Sequence, residues 1–187
     1  MSLAKTQAAL ARLFTQTAAR ADFARDPLTL ARASGLDSEE AQRLAALDAP
    51  EIARFARGLL AKRRQDVEKW LPLTAQALGS DLAKCLRETL TEPPPGARAD
   101  ALALVARLRG AVAPGWIGDL AAYEGEFLRA WGPRAFFAIR VYRWPVPRIT
   151  ENLSAWESVD AVKPGLTFAV WLRAPGGRLR HWRRTLP

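Results

Sequence analysis

"TFAVWLRAPGGRLRHWRRTLP", residues 167–187, closes the chain and combines an apolar run, a Pro-Gly-Gly turn and a basic segment. Pro175 suits the first central position of a type II turn, and Gly176 suits the second, where φ is positive. The side chains on both sides of the turn follow a strand period of two, and the resulting apolar face would have no use in a disordered arm. The sequence therefore predicts a folded β-hairpin.

A turn at residues 174–177 predicts the pairing register, with Leu172 opposite Leu179 and Trp171 opposite Arg180. In this register one face is apolar, and we expect it to pack on a neighbouring helix; it carries Phe168, Val170, Leu172 and Leu179. The other face carries Trp171, Arg173, Arg178, Arg180 and Trp182. We predict that these five residues bind a peptide or a protein partner, because Trp and Arg are common at interface hot spots.

Three other uses of the hairpin stay open at this point. Interleaved Arg and aromatic side chains also suit single-stranded nucleic acid, whose bases stack and whose phosphates pair with cations. An exposed strand edge could instead pair with an extended peptide, and the arginines would then select an acidic sequence. A basic, solvated sheet face without any ligand is the third alternative.

Helix signals dominate the first two thirds of the chain. Asp26 followed by Pro27 supplies an N-cap and a first-turn proline, and Asp37 with Glu40 has the spacing of a capping box. Consecutive prolines in TEPPPGAR, residues 91–98, predict a stiff connector.

The period of the apolar residues changes from helical to strand-like after Gly132. In the segment AFFAIRVYRW the side chains alternate, so that three apolar residues share one face: Phe137, Ile139 and Val141. We therefore expect an α+β fold, with a helical domain at residues 1–132 and a small β-rich domain at residues 133–187.

The net charge of +9 is unevenly distributed. Residues 1–133 hold 18 basic and 16 acidic side chains, whereas residues 134–187 hold 10 basic and 3 acidic ones. This asymmetry favours an anionic partner, such as nucleic acid or an acidic peptide. The alternative is that a GC-rich genome encodes an ordinary polar surface with Arg.

Targeting signals are not apparent in the sequence. No apolar run reaches the roughly 20 residues that cross a bilayer, and the first helix is not followed by a signal-peptide pattern. The single cysteine, Cys85, excludes an internal disulfide. We expect a cytoplasmic protein that does not associate with a membrane.

Catalytic constellations are also missing. One histidine, His181, is too few for a triad or for a His-containing metal site, and Cys85 lies among apolar residues of a predicted helix. Asp119, Glu124 and Glu126 are best interpreted as surface charge of a helix, since they do not share one face. The sequence predicts no enzymatic activity and no metal or other cofactor.

Three segments carry a resemblance to a known family. They are KRRQDVEKWLPLTAQALGSDLAKCLRETL at residues 62–90, WIGDLAAYE at residues 116–124 and FAVWLRAPGGRLRHW at residues 168–182. In this layout the chain resembles bacterial HvfC/BufC-type proteins, once labelled DNA-binding domains, and their actinobacterial relatives. Residues 23–48 depart from that pattern and look more like a helical segment of Nif11-type leader regions.

The resemblance implies a function that composition alone does not. Such proteins are similar in role to the small partner subunit of methanobactin synthesis, which has no catalytic centre. They accompany a multinuclear non-haem iron oxidative enzyme and help to hold a ribosomally made precursor peptide. We expect this chain to be such a non-catalytic partner. The alternative is a DNA-binding transcriptional regulator, which the pI of about 10.7 favours.

Overall fold

The computed structural model describes residues 3–89, 96–111 and 115–186. The predicted α+β fold is confirmed: helices occupy the described residues as far as Arg129, and a three-stranded antiparallel sheet with one further helix follows. The helices are α1 (Leu3–Thr15), α2 (Thr17–Arg25), α3 (Pro27–Ala33), α4 (Ser38–Ala45), α5 (Ala49–Trp70), α6 (Pro72–Leu78), α7 (Leu82–Thr89), α8 (Ala97–Ala111), α9 (Gly115–Arg129) and α10 (Val146–Ser154). The strands are β1 (Phe136–Tyr142), β2 (Thr167–Arg173) and β3 (Arg180–Thr185). Within the described stretches, no helix combines the length and apolar character needed to cross a membrane.

The chain forms two compact units, and the boundary between them differs from the predicted one. Described residues 3–63 belong to the first unit, and described residues from 64 onward to the second. The difference from the predicted division at residue 132 arises because α9 packs on the sheet as well as on other helices. Residues 91–95 of the predicted proline connector lie outside the described residues.

Local capping signals organise the first unit as the sequence predicts. Asp26 accepts a hydrogen bond from the Thr29 amide at 3.0 Å and caps α3. Asp37 and Glu40 form the capping box of α4, in which each side chain accepts from the other residue's backbone amide. The core of this unit includes Leu13, Phe23, Leu44 and Ile52.

Helix α9 is the centre of the second unit. One set of its side chains packs in a helical core with α5, α7 and α8, and another set packs in the core beneath the sheet. Gly118 permits the close crossing of α8, because a Cβ at this position would lie only 2.9 Å from the carbonyl oxygen of Leu108. Buried on nearly all sides, α9 couples the sheet to the helices.

Strand pairing in the sheet follows the order β1-β2-β3. Ile139 pairs with Val170, and Val170 pairs with Trp182, so one row of side chains crosses all three strands on one face. The opposite face, called here the inner face, packs on α9 and α10 through Ala138, Tyr142, Ala169 and Trp171. The alternation predicted for β1 is confirmed, with Phe137, Ile139 and Val141 exposed.

Candidate functional site

The hairpin turn forms as predicted, but the strands pair in a different register. Gly176 has a φ of +68°, and the Gly177 amide donates to the Ala174 carbonyl at 2.9 Å. The ladder, however, pairs Leu172 with Arg180 and Trp171 with His181. This is a shift of one residue from the prediction, and such a shift turns every side chain of one strand to the other face of the sheet relative to its partner strand.

Trp171 shows why this register is preferred. It is 0% exposed and lies on the inner face, 4.9 Å from His181, 5.5 Å from Tyr123 and 5.8 Å from Phe127 between ring centroids. Burying a Trp ring removes about 150–250 Å² from water, more than a Val or Leu side chain can. The prediction that Trp171 lies on a partner-facing surface is therefore wrong.

The other four predicted site residues are not all brought together. The Arg173 guanidinium donates to the Arg134 carbonyl at 2.7 and 2.9 Å and is thereby held at the end of the sheet. Arg178 is exposed in the connection before β3. Arg180 and Trp182 share the exposed face of β3, so only this pair keeps the predicted arrangement.

The predicted core face of the hairpin is also corrected. Phe168 and Leu172 are exposed and Val170 is half-buried, whereas Leu179 packs against the core under the sheet. Phe168, Val170 and Leu172 of β2, with the outward side chains of β1 and β3, form what we call the outer sheet face. Its nine members are Phe137, Ile139, Val141, Phe168, Val170, Leu172, Arg180, Trp182 and Arg184.

Strand β3 also presents an open edge, since among the described residues it pairs only with β2. The Leu186 amide donates to the Leu166 carbonyl at 2.8 Å, which continues the β2–β3 register beyond Thr185. In an antiparallel ladder hydrogen-bonded pairs alternate with non-bonded pairs. His181, Arg183 and Thr185 therefore direct their backbone N–H and C=O groups away from β2, toward the open edge.

Arg183, which sequence reasoning missed, fixes β3 to the helices below it. Its guanidinium donates to the Tyr123 hydroxyl at 3.2 Å, to Thr150 Oγ1 at 3.3 Å and to Glu151 Oε1 at 3.4 Å. Burial raises the pKa of Tyr123, and the contact with Arg183 opposes that rise. A run of arginines gave no signal as to which one would turn inward.

His181 belongs to an aromatic cluster and not to a polar site. Its ring lies 5.4 Å from Tyr123 and 5.3 Å from Phe127, in addition to the contact with Trp171. Burial lowers its pKa, and the positive charge of Arg183 adds to the effect. His181 Nε2 and Trp171 Nε1 are buried and have no hydrogen-bond partner within the part of the chain that the structure describes.

The three carboxylates of α9 are not surface charges, which corrects the prediction. Asp119 accepts from the backbone amides of Arg143 and Trp144 at 2.7 and 3.1 Å, where the chain leaves β1. Glu124 and Glu126 are both buried. Burial raises the pKa of Asp119 and that of Glu124, and in each case the hydrogen bonds to the carboxylate oppose the rise.

Glu126 joins α9 to the sheet. Its Oε1 accepts from Arg129 at 2.8 Å and from Arg140 of β1 at 2.7 Å. This buried carboxylate and its two guanidiniums form an ion-pair network. Removing an arginine would destabilise the fold, because it would leave a buried charge uncompensated. The period of the sequence did not reveal it, because Arg140 belongs to a strand and reaches Glu126 only when the sheet packs on α9.

The first unit contains an apolar groove that the sequence did not predict. Its volume is about 480 Å³, and its lining includes Phe14, Leu47, Ile52 and Phe55. Asp48 also lines it, as do Glu51 and Arg54, which pair with each other at 3.0 Å. In the three described stretches, no group of three or more His, Cys, Asp or Glu side chains is arranged to hold a metal ion.

Comparisons of the chain with family models, curated proteins and solved structures gave no significant match.

Proposed function

We propose that this chain is a non-catalytic, cytoplasmic partner protein that binds a ribosomally made precursor peptide and presents it to a multinuclear non-haem iron oxidative enzyme. The observation that supports it most is the open edge of β3, which lies beside Arg180, Trp182 and Arg184. A strand edge with unpaired backbone groups pairs readily with an extended chain. The arginines add a preference for acidic sequences.

Strand addition defines the peptide pattern that fits this edge. The outward backbone groups of His181, Arg183 and Thr185 would pair with the peptide main chain and supply affinity independent of its side chains. Every second peptide residue would then lie beside the outer sheet face, next to Arg180, Trp182 and Arg184 in turn. The best peptide therefore carries an acidic residue, then an apolar one two positions later, then an acidic one after two more.

That the peptide is presented to an iron oxidative enzyme is inferred from the family resemblance. One contact between the segments that carry this resemblance is consistent with the chain sharing the family's scaffold. The segments LPLTAQALG and DLAAYE, which carry much of that resemblance, meet where Leu73 and Thr74 donate to Glu124. Two segments separated in sequence thus form one structural element. The role of this element would be to hold α6 on α9, beneath the sheet that carries the peptide.

A proline substitution tests peptide binding at the edge. Thr185→Pro removes one outward N–H and leaves the amides of Arg184 and Leu186 in place, because proline is tolerated on an edge strand. Thr185→Val is the matched control, since both variants lose the hydroxyl contact with Thr167 but only proline loses the donor. With a labelled acidic–apolar–acidic peptide, we expect at least about tenfold weaker binding for proline and no change for valine.

The DNA-binding alternative predicts different results. The logarithm of the affinity for a duplex would fall with the logarithm of the salt concentration, with a slope of about −0.9 per neutralised phosphate. Thr185→Pro would not change this affinity. We expect only weak duplex binding that is lost at physiological salt. Sequence-specific duplex binding at roughly 0.2 M salt, unchanged in Thr185→Pro, would replace our proposal with the regulator.

A further inference from the structure

The outer sheet face is apolar where an exposed antiparallel sheet is normally polar. The outward side chains of β1 and β2 are all apolar, and Phe137 and Ile139 are 65% and 54% exposed. Sheets with one solvated face usually alternate apolar and polar residues. A sheet that is apolar on both faces is typical of one covered by a layer on each side. Here α9 and α10 cover the inner face.

The charges on this face limit what can cover it. None of its nine side chains is acidic, and Arg180 and Arg184 stand on its β3 side, about 13 Å apart at roughly 3.3 Å per residue. A second copy placed face to face would bring four guanidiniums to one interface without a carboxylate. A covering surface that supplies acidic side chains over β3 and apolar ones over β1 and β2 is complementary.

The dimensions fit a helix. Three strands spaced about 4.8 Å apart make a strip roughly 10 Å wide, which matches the diameter of one α-helix with its side chains. Carboxylates two turns apart on one flank of a helix are separated by about 10.5 Å, within reach of both arginines.

We propose that an amphipathic helix of a partner protein packs across the outer sheet face. Its apolar stripe covers Ile139 and Val170, and carboxylates on one flank pair with Arg180 and Arg184. The helix shares Arg180 and Arg184 with the peptide but needs none of the outward backbone groups of β3, so the inference goes beyond the peptide-binding function and does not depend on it.

Two synthetic helical peptides test the proposal. Both carry the same leucine stripe, one with glutamates and one with lysines along a single flank, and each is titrated against the full chain by fluorescence anisotropy. We expect the glutamate peptide to bind at least about tenfold more tightly. Arg184→Glu leaves one cation and one anion on this flank and should abolish this preference.

Substitutions on the apolar rows locate the binding surface. Ile139→Lys should weaken the glutamate peptide by at least about tenfold, while Leu28→Lys, at an exposed leucine of the first unit, should not. Phe137→Lys provides a second variant if Ile139→Lys lowers the melting temperature. Thr185→Pro, which blocks only the edge, should leave helix binding unchanged, so this proposal and the peptide proposal can fail separately.

Three outcomes would overturn the inference. They are failure of both peptides to bind, equal binding of the two peptides, and equal binding by the wild type, Ile139→Lys and Phe137→Lys. Sedimentation that shows a dimer which Ile139→Lys dissociates would assign the face to a second copy and would equally refute the helix.

Discussion

Thr74 donates two hydrogen bonds to one carboxylate oxygen of Glu124, from its backbone amide at 2.8 Å and from its hydroxyl at 2.6 Å. The other oxygen accepts from the Leu73 amide at 3.0 Å. These amides belong to the first turn of α6, where a helix has no internal acceptors for its N–H groups. A side chain of α9 thus caps α6 across fifty positions of sequence, and both partners are buried.

Replacing this cap should be costly. Glu124→Gln keeps one acceptor oxygen but turns an NH₂ group toward backbone donors, so we expect the free energy of unfolding to fall by about 1–3 kcal/mol. Urea denaturation measures the change. Glu157→Gln, at an exposed carboxylate, is the control and should stay within about 0.5 kcal/mol. Equal stability of the two variants would show that the buried cap contributes nothing.

Trp156 occupies a position that normally favours glycine. Its φ is +58° at the end of α10, where the amides of Trp156 and Glu157 donate to the carbonyls of Leu153 and Asn152 in a Schellman motif. The side chain is 84% exposed, so little burial offsets the left-handed conformation. Trp156→Gly should therefore raise the free energy of unfolding by about 0.5–1 kcal/mol, after the entropy of glycine is counted. Trp156→Ala retains a Cβ, and a gain as large as that of glycine would contradict the explanation.

Truncating the two tryptophans of the hairpin should lower stability by different amounts, because Trp171 is in the core and Trp182 is on the surface. Trp171→Ala should cost about 3–5 kcal/mol, because it empties the centre of the inner face. Trp182 is 52% exposed on the outer sheet face, and Trp182→Ala should cost less than about 1 kcal/mol. Leu172→Ala should behave like Trp182→Ala, since Leu172 is exposed. Thermal melting of the three variants decides the matter, and a larger loss at Leu172 than at Trp171 would support the register expected from sequence.

His181 should make stability depend on pH below neutrality. Its folded pKa is lowered from 6.5 by burial and by Arg183, so the unfolded chain takes up a proton at a pH where the folded chain does not. Stability is therefore fully present above about pH 6.5 and falls as the pH drops toward the folded pKa. Melting curves between pH 7.5 and 5 should show this decline in the wild type. His181→Gln should make the decline shallower, because the variant lacks the group that gives the unfolded chain up to about one more bound proton than the folded chain. Parallel curves for the two proteins would exclude His181 as the source.

Local features of this protein could be predicted from the sequence because neighbouring residues suffice to form them. The cap at Asp26, the capping box of Asp37 and Glu40, and the turn with positive φ at Gly176 each depend on four or five consecutive residues. The alternation along β1 follows in the same way from the pleat of a strand. The change from helical to strand period also located the sheet and with it the α+β class.

Tertiary structure alone decided which way the strands face and which polar groups are buried. A period of two divides a strand into two faces but does not indicate which face is inward. In the folded protein the inward face is the one that buries Trp171 against Tyr123 and His181. The one-residue shift of β3 follows from that choice, because a ladder offers only discrete registers. Glu124 and Glu126 look like helix-surface charges until α6 and β1 bring Thr74 and Arg140 to them, and no local pattern encodes contacts made across so much of the chain.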